Sequence, residues 1–332
     1  MCIRDSSGAV DEFRRKKARN DYPVMALWEM GLRGLRVPLQ DLMDTATRRR
    51  MEIMFGVGHK FHIYRYGVPT KIEIETIKKH FSMIEELELV LGWETIDEQV
   101  SKIQFLKDET RLPIVLSRVN RNDASKTSGG KYNHLISHGF TIAEIPEIAS
   151  FIRKNPLLLD GFQFTIPRSV NPWNAGRELQ LFKNNTNCKP TLYVKSTEAI
   201  PAQRFDDEIT NAIRFSESVL SGIGFGIDII LDTFDDADRG YFTRTGLIDR
   251  RFNPRIAGQL ISELIRQLNE GTWKAVESES PKVINDKGDI LRIGTILEIS
   301  KDAKWYDPQT GLSGDASNIS EAASKLVVIR SR

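Results

Sequence analysis

Two glutamates are the residues whose type and spacing could do chemistry. Glu94 follows the alternation Leu87, Leu89, Leu91, and Glu198 follows Leu192 and Val194, so each carboxylate stands just past a run that reads as a buried strand. Two carboxyl groups facing one another about 5 Å apart can open an acetal link: one protonates the leaving oxygen while the other attacks the carbon. A wider gap admits a water between them and inverts the product. Other strand-like runs end in Arg36, in Tyr64 and Tyr66, in Trp93, in Arg118, in Arg168, in Lys195 and in Asp232, Asp235 and Asp238, while a polar stretch adds Asn133, His134 and His138. Rings, cations and acids mixed in this way suit a neutral polyhydroxylated substrate, whose faces stack on aromatics and whose hydroxyls take paired hydrogen bonds.

Several of these residues have a second reading. Glu94 sits where it could cap the helical run TIDEQVSKIQ, and Glu198 could serve a loop salt bridge. Lys195 could form a Schiff base in a lyase or aldolase, but a lysine beside carboxylates also serves as their ion partner. His134 and His138 are four apart, a spacing that could hold a metal on a helix. Gly129, Gly130 and Gly139 make the stretch a loop instead, with no third ligand, so no metal is expected and His138 becomes a hydrogen-bond donor to substrate. The acidic cluster from Asp232 to Asp238 lacks the glycine and closing glutamate of a helix-loop-helix calcium site. It reads as a loop paired with Arg239, Arg244 and Arg250.

The elements that must position these groups repeat along the chain. The runs GLRGLRVPL, KFHIYRYG, ELELVLGWE, LPIVLSR, DGFQFTIPR, KPTLYVKSTE and IDIILDTFDD read as strands, and helical stretches beginning at Asp21, Asp41, Thr70, Thr95, Thr141, Asn171 and Phe205 alternate with them. A last amphipathic helix covers Ile256 to Leu268. This alternation predicts an α/β fold with a parallel sheet closed into a (βα)8 barrel, whose chemistry lies at the C-terminal ends of the strands. No glycine-rich phosphate loop follows any strand, which argues against an open doubly wound sheet. Seven strands are visible, so the first is expected to be missing and the visible ones are the second to eighth. Glu94 and Glu198 then end the fourth and seventh strands, across the barrel mouth from each other.

Composition fits this reading. The 332 residues carry a net charge of +2 and are 40% apolar, which calls for neither nucleic acid nor membrane. Two cysteines, Cys2 and Cys188, cannot build a disulfide framework. Residues 1–20 are expected to be an artefactual or disordered segment, 21–272 the barrel and 281–332 a small β-sandwich-like module. The opening MCIRDS resembles a translated adapter scar from metagenomic sequencing, so the true N-terminus is expected to be absent and localisation is not legible.

Acid and nucleophile at the ends of the fourth and seventh strands is an arrangement similar to that of the clan A glycoside hydrolases, and the chain resembles that clan from about Asp21 to Leu268. Arg36 matches the position where the clan often keeps an arginine beside its nucleophile, and GLIDRRFNPRIAG is similar to its closing segment. The resemblance implies Glu94 as acid/base, Glu198 as nucleophile, retention of configuration and a carbohydrate substrate without a cofactor. Trp93 stands where the clan usually has asparagine. The run AKWYDPQTG resembles the β-modules that trail many glycosidase barrels, with Trp305 and Tyr306 available either for core packing or for sugar binding.

Overall fold

The computed structural model describes residues 21–120, 137–196, 207–231, 234, 245–249, 251–322 and 326–331. Glu198, Asn133, His134, Asp232, Asp235 and Asp238 lie outside the described residues. The elements follow the predicted alternation. Helix α1 (Asp21–Glu29) leads to β1 (Gly34–Pro38); α2 (Leu39–Met43) and α3 (Thr45–Gly56) lead to β2 (Lys60–Tyr66). Then come α4 (Lys71–Lys79), β3 (Ile84–Leu91), α5 (Val100–Thr110), β4 (Ile114–Asn120), the short β5 (Ser137–His138), α6 (Ile145–Lys154) and β6 (Gly161–Ile166). Helix α7 (Pro172–Thr186), β7 (Lys189–Val194), α8 (Glu208–Phe225), β8 (Asp228–Leu231) and α9 (Ile256–Leu268) complete the series.

Helix starts are set by capping side chains. Thr70 closes a reciprocal capping box with Glu73, Thr141 does so with Glu144, and Asp207 caps α8. The α8 terminus is set by Gly226, whose φ of 62° is a left-handed conformation that costs glycine little. Three expected starts are displaced: in place of one helix from Asp41 there are two, beginning at Leu39 and at Thr45. Thr95 has a non-helical φ of −117° inside a 3-10 segment, Trp93–Gln99, and the α-helix begins only at Val100. Likewise the helix expected from Phe205 begins at Glu208.

The parallel strands run in the order β1-β2-β3-β4-β6-β7-β8, with β5 paired to β4. The fold is thus an α/β barrel architecture with seven parallel strands among the described residues. The chain divides into two compact units, one with described parts Leu32–Ile166 and Leu181–Tyr193, the other with Pro167–Gln180 and the described residues of Val194–Arg332 together with the stretch ending at Gly31.

Within the first unit the register separates two faces. Leu35, Phe61, Leu87, Ile114 and their alternates Val37, Ile63, Leu89 and Leu116 form an apolar face, all of them buried. The other face carries Arg36 opposite His62 and His62 opposite Glu86, then Tyr64 opposite Glu88 and Glu88 opposite Val115. Lys189 on β7 reaches Glu86 on β3, and Tyr193 on β7 lies 5.6 Å from the Arg36 guanidinium on β1. Strands separated by two or more neighbours in the sheet can meet only if the sheet rolls up, so the charged face is the inner one.

In the second unit an antiparallel sheet has the order β13-β12-β14-β11-β10-β9. Its strands are β9 (Trp273–Ala275), β10 (Lys282–Asn285), β11 (Ile290–Gly294), β12 (Ala303–Tyr306), β13 (Ser313–Gly314) and β14 (Val327–Ser331). Trp305, fully buried, packs with Ala303, Val327 and Ile329 and donates its indole N–H to the Asp315 carbonyl at 2.8 Å. Asp307 ties the turn after Tyr306 by accepting from the amides of Gln309 and Thr310. Of the two readings of Trp305, the structure has core packing. Trp305→Ala should therefore lower the unfolding free energy of this unit by about 3–5 kcal/mol in chemical denaturation, as large-to-small changes in a core do.

Candidate active site

The inner face of the first unit is organised by two glutamates that alternate with leucines in the run ELELVL. Glu88, fully buried, accepts two hydrogen bonds from the Arg36 guanidinium, at 2.6 and 2.9 Å. It accepts a third from His62 Nε2 at 3.0 Å. The other ring nitrogen of His62 contacts Glu86, whose second oxygen accepts from Lys189 Nζ at 3.1 Å. The side chains thus form a continuous polar chain, Lys189, Glu86, His62, Glu88 and Arg36, supplied by β7, β3, β2, β3 and β1 in turn. Such a fork-on-carboxylate geometry is the strong form of the ion pair.

Burial alone would push both glutamates toward the neutral form. For Glu88 the charge of Arg36 and the hydrogen bonds from His62 and Arg36 outweigh burial and hold the carboxyl well below its usual range. Burial is likewise overcome at Glu86 by His62 and Lys189, so its carboxyl is also lowered. The Arg36 guanidinium is raised because Glu88 outweighs its own desolvation.

Above this charged chain the inner face turns aromatic. The Arg36 guanidinium lies 3.9 Å over the Tyr64 ring, so the cation-binding face of that ring is already occupied. His138 stacks on Tyr64 at 6.4 Å and meets Tyr66 and Tyr193 edge-on at 6.5 and 5.3 Å. Gln163 on β6 fixes the ring through a 3.0 Å contact to Nδ1, and the same nitrogen is 3.9 Å from Glu88. Tyr66 reaches furthest outward, being 42% exposed. Arg36, Tyr64, Tyr66 and His138 are therefore brought together on one face.

Glu94, Trp93 and Arg118 form a separate cluster. Glu94 lies in the 3-10 segment beyond β3, with its side chain 72% exposed and 3.1 Å from Arg118 Nη2. The same guanidinium also pairs with Glu144, so one arginine bridges two carboxylates. Trp93 packs edge-on against Phe140 at 5.0 Å and gives its indole N–H to Glu147, which ties the 3-10 segment to α6.

In the second unit, Arg168 donates to the Ser196 carbonyl at 2.5 Å, and the Lys195 carbonyl accepts from Arg214 at 3.1 Å. Buried Arg214 on α8 also donates to the carbonyls of Pro167, Arg168 and Val170, while Ser196 Oγ donates to Thr245 Oγ1 at 3.1 Å. These contacts secure the chain where β6 and β7 end. Among the described residues no group of three or more His, Cys, Asp or Glu side chains is placed to hold a metal ion.

Reading strand ends alone overlooked His62, Glu86, Glu88, Gln163, Lys189 and Tyr193. The signal was the period of two: Glu86 and Glu88 alternate with Leu87 and Leu89, and His62, Tyr64 and Tyr66 alternate with Phe61 and Ile63. In a strand whose apolar side packs under helices, the polar alternates have only the barrel interior to occupy.

No family model and no curated protein matches the chain. Among solved structures it is similar to a family 39 glycoside hydrolase from the gut symbiont Bacteroides cellulosilyticus WH2, with a TM-score of 0.56 and 10% identity over 95% of this chain and 79% of that one. At this identity the likeness is one of fold: a parallel α/β barrel followed by an antiparallel β-module.

The buried ion pairs make a sharp stability prediction. Glu88→Gln leaves Arg36 and His62 without their shared counter-ion and should cost about 3–5 kcal/mol in urea unfolding. Replacing the pair together, Arg36→Met with Glu88→Leu, should recover most of that loss. Because Glu86 and Glu88 are lowered in the folded state, their contribution is present above the unfolded carboxylate value of about 4.3 and disappears as pH falls through the folded values. An acid titration of unfolding free energy should show this limb in the native chain and a smaller one in Glu88→Gln.

Proposed function

We propose that the chain is a glycoside hydrolase-like enzyme that cleaves O-glycosidic bonds of a carbohydrate with retention, using Glu94 as acid/base and Glu198 as nucleophile. The observation that carries the reading is the barrel with its trailing antiparallel module, an architecture shared with a family 39 glycoside hydrolase. Two further features support it. Glu94 stands beyond the C-terminal end of a barrel strand, where this architecture places its chemistry, and an aromatic patch of Tyr64, Tyr66, Tyr193 and His138 lies on the inner face of the first unit. Arg36 already covers Tyr64, and Glu88 neutralises Arg36, which favours an uncharged ligand over a cation.

In the first step Glu94 gives its proton to the glycosidic oxygen as the bond to the anomeric carbon breaks, while the Glu198 carboxylate bonds to that carbon. In the second, Glu94 takes a proton from water, the resulting hydroxide attacks the same carbon, and Glu198 leaves as carboxylate. The pairing of Glu94 with Arg118 favours a second reading, a barrel that binds saccharide without cleaving it, since an acid must release its cation partner before it can protonate substrate.

Hydrolysis of a panel of aryl glycosides and oligosaccharides separates the two. For the enzyme, Glu198→Gln abolishes turnover, and Glu94→Gln lowers kcat by about 10²–10⁴-fold, with folding unchanged in both. Wild-type rates in both variants would remove the assignment of these residues. Saccharide binding by calorimetry with no hydrolysis product across the panel would establish the non-catalytic reading instead.

A further inference from the structure

His62 stands between two carboxylates of the same strand. Its Nδ1 meets Glu86 Oε1, and its Nε2 lies 3.0 Å from Glu88 Oε2. An ionised carboxylate only accepts hydrogen bonds, so both contacts are satisfied when both ring nitrogens carry protons, whereas a neutral imidazole has one N–H. Among the carboxylate oxygens only Glu86 Oε1 could take the extra proton instead, and that would leave Lys189 beside a neutral carboxyl. Both oxygens of Glu88 accept from Arg36, at 2.6 and 2.9 Å, and a proton on either would face an N–H. The second oxygen of Glu86 faces the Lys189 ammonium at 3.1 Å.

The groups around the ring come from several strands. Arg36 approaches from β1, Glu86 and Glu88 from β3, and Lys189 from β7; Tyr64 follows His62 on β2, and His138 is 3.9 Å from the far oxygen of Glu88. We infer that His62 is a resident imidazolium at neutral pH, shared by Glu86 and Glu88, and that its proton locks the inner face of the barrel until alkaline pH removes it. Without that proton a ring lone pair points at one carboxylate, and two anions on one strand lose the cation between them. This device is independent of whether the barrel hydrolyses glycosides.

The direction of titration agrees with the geometry. Burial would lower the imidazole, but hydrogen bonds and charge from Glu86 and Glu88 more than reverse it, so its value is raised. A raised folded value means that the stabilisation is complete below the unfolded histidine value of about 6.5 and is lost as pH rises through the folded one. This limb runs opposite to the acid limb of the two glutamates.

The test is a nitrogen-resolved NMR titration of the full chain labelled at histidine, from pH 5.5 to 10. Both ring nitrogens of His62 should still be protonated at pH 7.5, so that the midpoint falls on the alkaline side of that pH and not at the ordinary histidine value of about 6.5. Glu86→Gln, which keeps the Glu88 contact, should move that midpoint down by about one pH unit or more, the size of effect expected for one adjacent charge. In thermal unfolding, His62→Gln should lack the decline that the native chain shows between pH 6.5 and the His62 midpoint. If that variant does not fold, the native and Glu86→Gln titrations decide the question alone. A neutral His62 at pH 7.5, with the shared proton found on Glu86 by its carboxyl infrared band, would overturn the inference, as would a midpoint unmoved by Glu86→Gln.

Discussion

Two carboxylates placed on the inner face of a strand cannot be buried unless cations from other strands come to them. Glu86 and Glu88 meet this requirement through Lys189, His62 and Arg36, which belong to β7, β2 and β1. The ion pairs and the rolled sheet therefore imply one another: an open sheet would leave Lys189 far from Glu86, and an unpaired Glu88 would be an isolated charge in a water-poor interior. The same pattern sets the register of β3. A slip of one residue would put Leu87 and Leu89 inside and press the glutamates under the helices.

The inner face changes character along its length. Two buried glutamates and their partners Lys189, His62 and Arg36 occupy one level, and rings with hydrogen-bonding tips, Tyr64, Tyr66, Tyr193 and His138, occupy the next. Arg36 joins the levels, with its guanidinium forked onto Glu88 and its flat face over Tyr64. A fixed cation below a ring orients that ring without offering a free charge to the ligand. Glu94, by contrast, is a surface carboxylate whose partner Arg118 also serves Glu144, so the acid proposed for catalysis is embedded in an exchangeable surface network.

Much of the architecture was legible in the sequence because it rests on local signals. Thr70, Thr141 and Asn171 mark helix starts through side chains that cap their own helices or, for Asn171, accept from the Asn174 amide, and the runs of β1 to β4 are apolar on the face that packs outward. The barrel with a trailing β-module read from the repeating units agrees with the fold of the family 39 neighbour. The interior network was less legible. Its partners are 24 to 103 residues apart in the chain, so no window of sequence contains them together. Thr95 misled for a different reason: a threonine before an acidic, helical-looking run reads as a cap, but here the chain first passes through a 3-10 turn that packs Trp93 on Phe140.

Arg214 has a consequence beyond the strand ends it touches. One guanidinium on a helix receives the carbonyls of Pro167, Arg168, Val170 and Lys195, so the roots of two successive strand-to-helix crossings share a single knot. Crossings tied at the root can change in length and composition further out without transmitting the change to the sheet. An insertion or deletion farther out in either crossing should therefore leave the strand ends beneath it in place.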